Sequence, residues 1–219
     1  MTDTQTQVRP RPKIESLSDL VFGLALSVGA ISLVGNVTLI TSAETLLSDI
    51  SVFAFGFIIL ITVWMRYTRI MSVLPLENRL TVLLNTALLF TVSIEPFLFN
   101  VLEMDNNLAT KISSQFYAVD LGVMMLILAA FTLVLSDEER NLIPKDLIKE
   151  SRIESLSMFV AGGLFLVSIL DVFWVKGPGG IYWRFYLWIV PFVLSSIRRR
   201  TLFMKNEITK LKRKNETPN

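Results

Sequence analysis

The sequence predicts an all-α integral membrane protein, with six helices crossing the bilayer and both termini on the cytoplasmic side. Three observations predict it. Apolar residues make up 52% of the 219 and charged residues only 18%, with a mean hydropathy of +0.56; a soluble domain of this length cannot hide so much apolar surface. The apolar residues gather into six runs with few charges. The basic residues, in contrast, cluster in alternate connections, which places them on one side of the membrane.

The runs are Leu17–Ile40, Ile50–Arg66, Leu80–Leu102, Ser113–Leu135, Leu156–Val175 and Ile181–Ile197. The second and sixth are short against the ~20 residues a span needs, so tilt or local thinning is expected there. Only helices satisfy every backbone group in lipid over these lengths. Residues 1–16 read as an N-terminal tail, 17–197 as the six-helix domain and 198–219 as a basic C-terminal tail. The first run follows a polar leader and is too long for an h-region, so the N-terminus does not read as a cleaved signal peptide.

Six spans put both termini on one face. That face holds Arg9, Arg11 and Lys13; Arg66, Arg69 and Arg79; Arg140, Lys145, Lys149 and Arg152; and eight more from Arg198 to Lys214. These are 18 of the 21 basic residues, with Lys111, Lys176 and Arg184 opposite. The positive-inside rule makes the basic face cytoplasmic.

The chain has no cysteine and no histidine. Disulfides, thiolate chemistry, histidine-ligated haem or zinc and imidazole catalysis are therefore excluded. The composition points away from an enzyme, and no cofactor is expected.

The phrase KIESLSD, Lys13 to Asp19, is echoed as RIESLSM from Arg152 to Met158. Both stand at the cytoplasmic start of an odd-numbered span, where a basic residue anchors at the headgroups and a serine is placed to cap. Ser16 and Asp19 fit the capping-box spacing; the second phrase ends in Met158 and lacks the acid. The four-helix offset and the divergence after each phrase speak against an internal duplication.

Three carboxylates fall within later spans: Glu95, Asp120 and Asp171. At 1.5 Å per residue, Glu95 and Asp171 lie about 22 Å along outward helices and Asp120 about 10 Å along an inward one, so all three reach the outer third. With Glu44, Asp49, Glu103 and Asp105, the outer side has seven acids against three bases. An acidic outer mouth favours cations over anions. Pairing of each acid with Lys176, Arg184, a tyrosine or a backbone donor is the alternative.

Stepping about 100° per residue along the first span puts Leu17, Leu20, Leu24, Val28, Ile31 and Gly35 on one line, with Ser27 at its flank. A second stripe holds Ser18, Ala25, Gly29, Ser32 and Asn36. Small residues at that spacing admit a neighbouring helix. Periodicity alone sends the aliphatic face to lipid.

Lys13-Ile-Glu-Ser-Leu17-Ser18-Asp19-Leu-Val-Phe22-Gly-Leu24 resembles the first helix of the prokaryotic branch of the endolysosomal potassium channels, six-helix proteins whose hallmark is an arginine, three residues, then Phe-Ser-Asp. Lysine stands here for the arginine and leucine for the phenylalanine. Phe57-x6-Trp64 with Arg66 and Arg69 resembles the end of the family's second helix, and Leu84-Asn85-x3-Leu89-x6-Pro96-Phe97 its third. Tyr117 at the head of the fourth also fits. The resemblance runs over Lys13–Leu135. There are departures: Tyr67 and Thr68 stand where the family often has histidine, and Leu20 replaces a small residue.

The resemblance implies a homotetramer whose first helices surround a central pore and conduct potassium passively, without a TVGYG filter. It places the constriction at Leu24, with Ser27 and Ile31 as further pore-facing positions, so the aliphatic stripe would face the pore rather than lipid. It also implies that Lys13, Leu17, Ser18 and Asp19 form a motif tying the pore helix to its neighbours, with Trp64 and Asn85 as partners. A local capping box is the competing role for Asp19. Other functional readings are a proton or unselective monovalent-cation leak, a secondary transporter, and a non-conducting scaffold. Interrupted midplane helices and repeated halves would favour the transporter; neither is evident.

The polybasic run Arg198–Lys214 suits a topology anchor and contact with anionic lipid, while its lack of interleaved stacking aromatics argues against nucleic acid. Lys176-Gly-Pro-Gly-Gly180 reads as a tight turn rather than a phosphate loop.

Overall fold

The structure is a computed structural model and describes residues 13–35, 42–74, 79–102, 107–138, 142–191 and 193. Five long helices follow in order: α1 Lys13–Gly35, α2 Ala43–Met71, α3 Arg79–Leu102, α4 Asn107–Leu135 and α5 Lys145–Val167. A sixth, α6, runs over residues 183–191. There is no strand among the described residues. Phe53–Met71, Arg79–Leu102 and Thr110–Leu135 are long and apolar enough to cross a membrane, and Ser16–Ile31 is a shorter apolar helix. The stretch Asn36–Ile40 of the first run, the last residues of the sixth, residues 1–12 of the N-terminal tail and the whole C-terminal tail lie outside the described residues, while residues 13–16, expected as tail, are the first turn of α1.

Helix α4 is the centre of the molecule. From Leu121 to Leu135 its only polar side chain is that of Thr132, and 67% of its spanning window is buried, as expected of a helix apolar on all sides over that stretch. It packs against α3 and α5 and also meets α2, whereas α1 rests on α2 and α3 at the periphery. Tyr117 of α4 is fully enclosed; its ring lies 5.7 Å from Phe99 of α3 and 5.3 Å from Trp188 of α6. Trp188 in turn donates its Nε1 hydrogen to Ser168 Oγ at 3.0 Å, fastening α6 to the end of α5.

Glycine sets the α4–α5 distance. A Cβ on Gly162 would stand 3.0 Å from the Gly122 carbonyl oxygen and 3.0 Å from Leu126. In lipid, where apolar surface gives little drive for helices to associate, such close approach supplies dispersion contact. Proline acts on α3: Pro96 lies inside the helix and cannot donate to the carbonyl one turn back.

The fifth span differs from the expected Leu156–Val175. Helix α5 begins at Lys145 and stops at Val167, and the chain continues through a 3-10 turn at Asp171–Phe173. The cause is a tertiary contact. Arg184, fully buried, donates Nε to Ser168 O at 2.7 Å and Nη2 to Ile169 O at 3.0 Å. Gln115 Nε2 adds a bond to Ile169 O at 3.1 Å. Carbonyls beyond the last helical turn are thereby satisfied by side chains, so the apolar run need not continue as helix. The same guanidinium reaches Lys111 O at 3.2 Å and Ser114 Oγ on α4, and it stacks 5.0 Å over Trp174.

The first copy of the charged phrase opens α1, whereas the second lies inside α5 rather than at its start. α1 is already helical at Lys13, so Ser16 does not cap it. Ser155 sits mid-α5 and donates to Ala129 O of α4 at 3.0 Å. The residues from Lys176 to Gly180 do form a tight turn. The Gly177 N–H donates to Ile181 O at 2.8 Å, and Gly179 and Gly180 take φ of 71° and 77°, a region that favours glycine.

The α4–α5 contact predicts that Gly162→Ala destabilises the protein by about 1–3 kcal/mol through overpacking. Thermal unfolding in detergent checks it. Gly163→Ala, where a Cβ meets nothing within 4 Å, should leave the midpoint nearly unchanged.

Candidate functional site: the first helix and its anchor

The two stripes of α1 have different environments. Ser18, Phe22 and Ala25 are buried, and a Cβ on Gly29 would meet Phe53 of α2 at an ordinary 3.6 Å. This spacing of four, three and four residues is one helical face, and it lies on α2 and α3. The opposite face is open: Leu24 is 55% exposed and Ile31 66%, with Leu17, Leu20 and Val28 alongside. Ser27 is exposed as well, and its hydroxyl hydrogen goes to Gly23 O at 2.8 Å. The donor is spent within the helix, and the oxygen keeps lone-pair capacity to accept.

A polar network holds one end of this helix. Trp64 of α2 donates Nε1–H to Asp19 Oδ1 at 3.1 Å. Three residues further on α2, Tyr67 donates its hydroxyl to Ser18 Oγ at 2.7 Å. From α3, Asn85 Nδ2 approaches the same Ser18 oxygen at 3.4 Å. Ser18, Tyr67 and Asn85 are all buried, and the Tyr67 ring lies 5.7 Å from Phe22. Thus adjacent residues of α1 are tied by an i, i+3 pair on α2 and by one residue of α3. The indole–carboxylate bond is charge-assisted, worth about 1.5–3 kcal/mol when its surroundings exclude water.

Residues 13–96 match the family model described as Endosomal/lysosomal potassium channel TMEM175. The match covers less than half of the chain, and every member of the network lies inside it. The match likens this segment to a potassium-channel family. No curated protein and no solved structure matches the chain.

Within the TMEM175-matched segment, Ser18, Asp19, Trp64 and Asn85 come together, while Leu17 sits on the exposed face. Lys13 opens α1, but its side chain lies outside the described residues. Tyr67 is the member that sequence reasoning missed. It stands where the resembling family often has histidine, and its phenol reaches Ser18. The signal that could have found it is its spacing of three from Trp64.

The three acids expected near one mouth do not share a surface. Glu95 and Asp120 are enclosed between helices, and Glu95 accepts from the Tyr117 hydroxyl at 3.1 Å. Asp171 stands exposed in the turn beyond α5 and pairs with Lys111 at 2.8 Å. The hydrogen bond and charge of Lys111 hold its carboxyl below the ordinary value. The side chains of Glu44 and Asp49, with Glu103 and Asp105, lie outside the described residues. No cluster of three or more metal-ligating acids occurs among the described residues.

The network predicts coupling between its ends. Asp19→Asn and Trp64→Phe should each destabilise the detergent-solubilised protein by about 1–2 kcal/mol, and the double variant by clearly less than their sum. A thermal-unfolding double-mutant cycle measures this; strict additivity would mean that the bond contributes nothing.

Proposed function

We propose that the chain is one subunit of a homotetrameric, potassium-permeable cation channel of the cell membrane. Six spans carry both termini to the cytoplasm, and the α1 helices surround a common axis. The observation that carries the proposal is the orientation of α1. Ser18 and Ala25 of its small, polar stripe are buried on the side of α2 and α3, and Leu17, Leu20, Leu24, Val28 and Ile31 of its aliphatic stripe are exposed among the described residues. Four such stripes meeting at an axis enclose a narrow apolar passage, with the Leu24 side chains as the constriction, Ser27 offering oxygens next to it and Ile31 one turn further. A ring of leucines gates by dewetting, and hydroxyl oxygens assist a partly hydrated cation. The match to the potassium-channel family supports this reading over lipid exposure of the same stripe.

In this account Asp19 and Ser18 act at a distance from the ion. They set the rotation of α1, so that Leu24 rather than Phe22 points to the axis. The basic tail from Arg198 to Lys214 contributes orientation and attraction to anionic lipid. Flux is passive and uncoupled, which separates the proposal from a transporter and from a scaffold.

Reconstitution into liposomes with potassium, sodium and proton gradients tests the proposal. Potassium gradients should drive uncoupled flux, and Leu24→Ala or Leu24→Asn should raise it by about an order of magnitude, the equivalent of ~1.4 kcal/mol off the barrier. Asp19→Asn should lower flux or tetramer yield. Flux coupled to a second ion, or absent in every preparation, contradicts the proposal.

A further inference from the structure

The space between α3 and α4 contains two carboxyl groups and no partner of opposite charge. Glu95 is 2% exposed and Asp120 7%. Tyr117, one turn before Asp120 on α4, donates to Glu95 Oε1, and its ring is closed in by Phe99 and Trp188. Tyr117 thus links the two acids, bonding Glu95 from a position three residues before Asp120 on the same helix. Asp120 Oδ2 is buried without a hydrogen-bond partner, a costly state for any polar atom and more so for a charged one.

The cations nearby are committed elsewhere. Arg184 spends its nitrogens on Ser168 O, Ile169 O, Lys111 O and Ser114 Oγ, and Lys111 pairs with Asp171. The α1 and α2 residues that line the space beside Glu95 are uncharged. α6 presents Trp188, whose N–H goes to Ser168 of the α5 end. α1 and α2 present Ala25, Gly29, Gly56 and Leu60 around a cavity of about 20 Å³ beside Glu95. Two carboxylates enclosed together without compensation repel each other and forfeit their hydration.

The compensating charge has to be small. The cavity has room for about one water. Among the described residues no group of three or more acids gathers here to replace the six or so oxygens that surround a metal cation in water. A proton needs only one oxygen to carry it and another to accept the hydrogen bond.

We propose that Glu95, Asp120 and Tyr117 form a proton-binding site inside each chain, in which one of the two carboxyls is protonated. The bound proton supplies the hydrogen that Asp120 Oδ2 lacks and leaves the pair with one negative charge, steadied by the Tyr117 hydroxyl. The site stands apart from the α1 constriction and is independent of the channel reading.

Infrared spectroscopy of the full chain in liposomes at neutral pH tests it, with carboxyl-¹³C aspartate or glutamate incorporated into the unmutated protein. The expected result is a protonated-carboxyl C=O band equivalent to one group per chain. It should shift on labelling of at least one of the two residue types, and it should be unchanged when potassium replaces sodium. The Glu95→Gln/Asp120→Asn double variant should lose the band. Absence of a protonated band in the unmutated chain, persistence of the band in the double variant, or appearance of the band only after both metal cations are removed overturns the proposal. Isotope labelling gives the answer even where the double variant fails to fold.

Discussion

The hydrogen-bonded tie between the first helix and its two neighbours is the constraint on which the rest depends. Ser18 and Asp19 are adjacent, so their side chains leave α1 about 100° apart. Tyr67 and Asn85 take one, and Trp64 takes the other. Two bonds in different directions at one level fix both the depth and the rotation of a helix, which a single contact cannot do. With the rotation fixed, Phe22, Ala25 and Gly29 follow inward and Leu24, Val28 and Ile31 follow outward.

Lipid is the reason polar bonds and small residues carry so much of this fold. Between helices in a bilayer, apolar side chains exchange one apolar neighbour for another, so specificity comes from close packing and hydrogen bonds. The chain concentrates these devices where elements must meet. Gly122 and Gly162 bring the backbones of α4 and α5 together. Ser155 bonds across the same pair of helices. Arg184 joins α4, the end of α5 and α6 through one guanidinium. Arginine suits this position because its planar fork serves several carbonyls at once without losing its charge.

How much was legible in the sequence follows from which forces are local. Helices α3 and α4 were readable because hydropathy alone defines them; the expected Leu80–Leu102 differs from the observed Arg79–Leu102 by one residue. The division of α1 into small and aliphatic faces was readable from helical period. Neither period nor hydropathy could say where the aliphatic face goes, because that face stays exposed among the described residues. The end of α5 was misread because Ser168 to Val175 is as apolar as a helix interior, and what stops the helix is an arginine 16 residues later. The serines of the repeated phrase were read as caps for lack of any local sign of their partners. The depth of Glu95 and Asp120 could be counted from the sequence, but their enclosure with Tyr117 depends on how α3 meets α4.

Disulfide trapping at Leu24 tests the central claim most directly. The chain lacks cysteine, so a single Leu24→Cys substitution reports on one position without background. In bilayers under mild oxidation, convergence of the α1 faces predicts covalent dimers at Leu24. It predicts far fewer when Asp19→Asn is added, and none for a cysteine at the exposed Phe90 of α3. A Leu24→Cys chain that stays monomeric under oxidation while remaining folded would contradict the account.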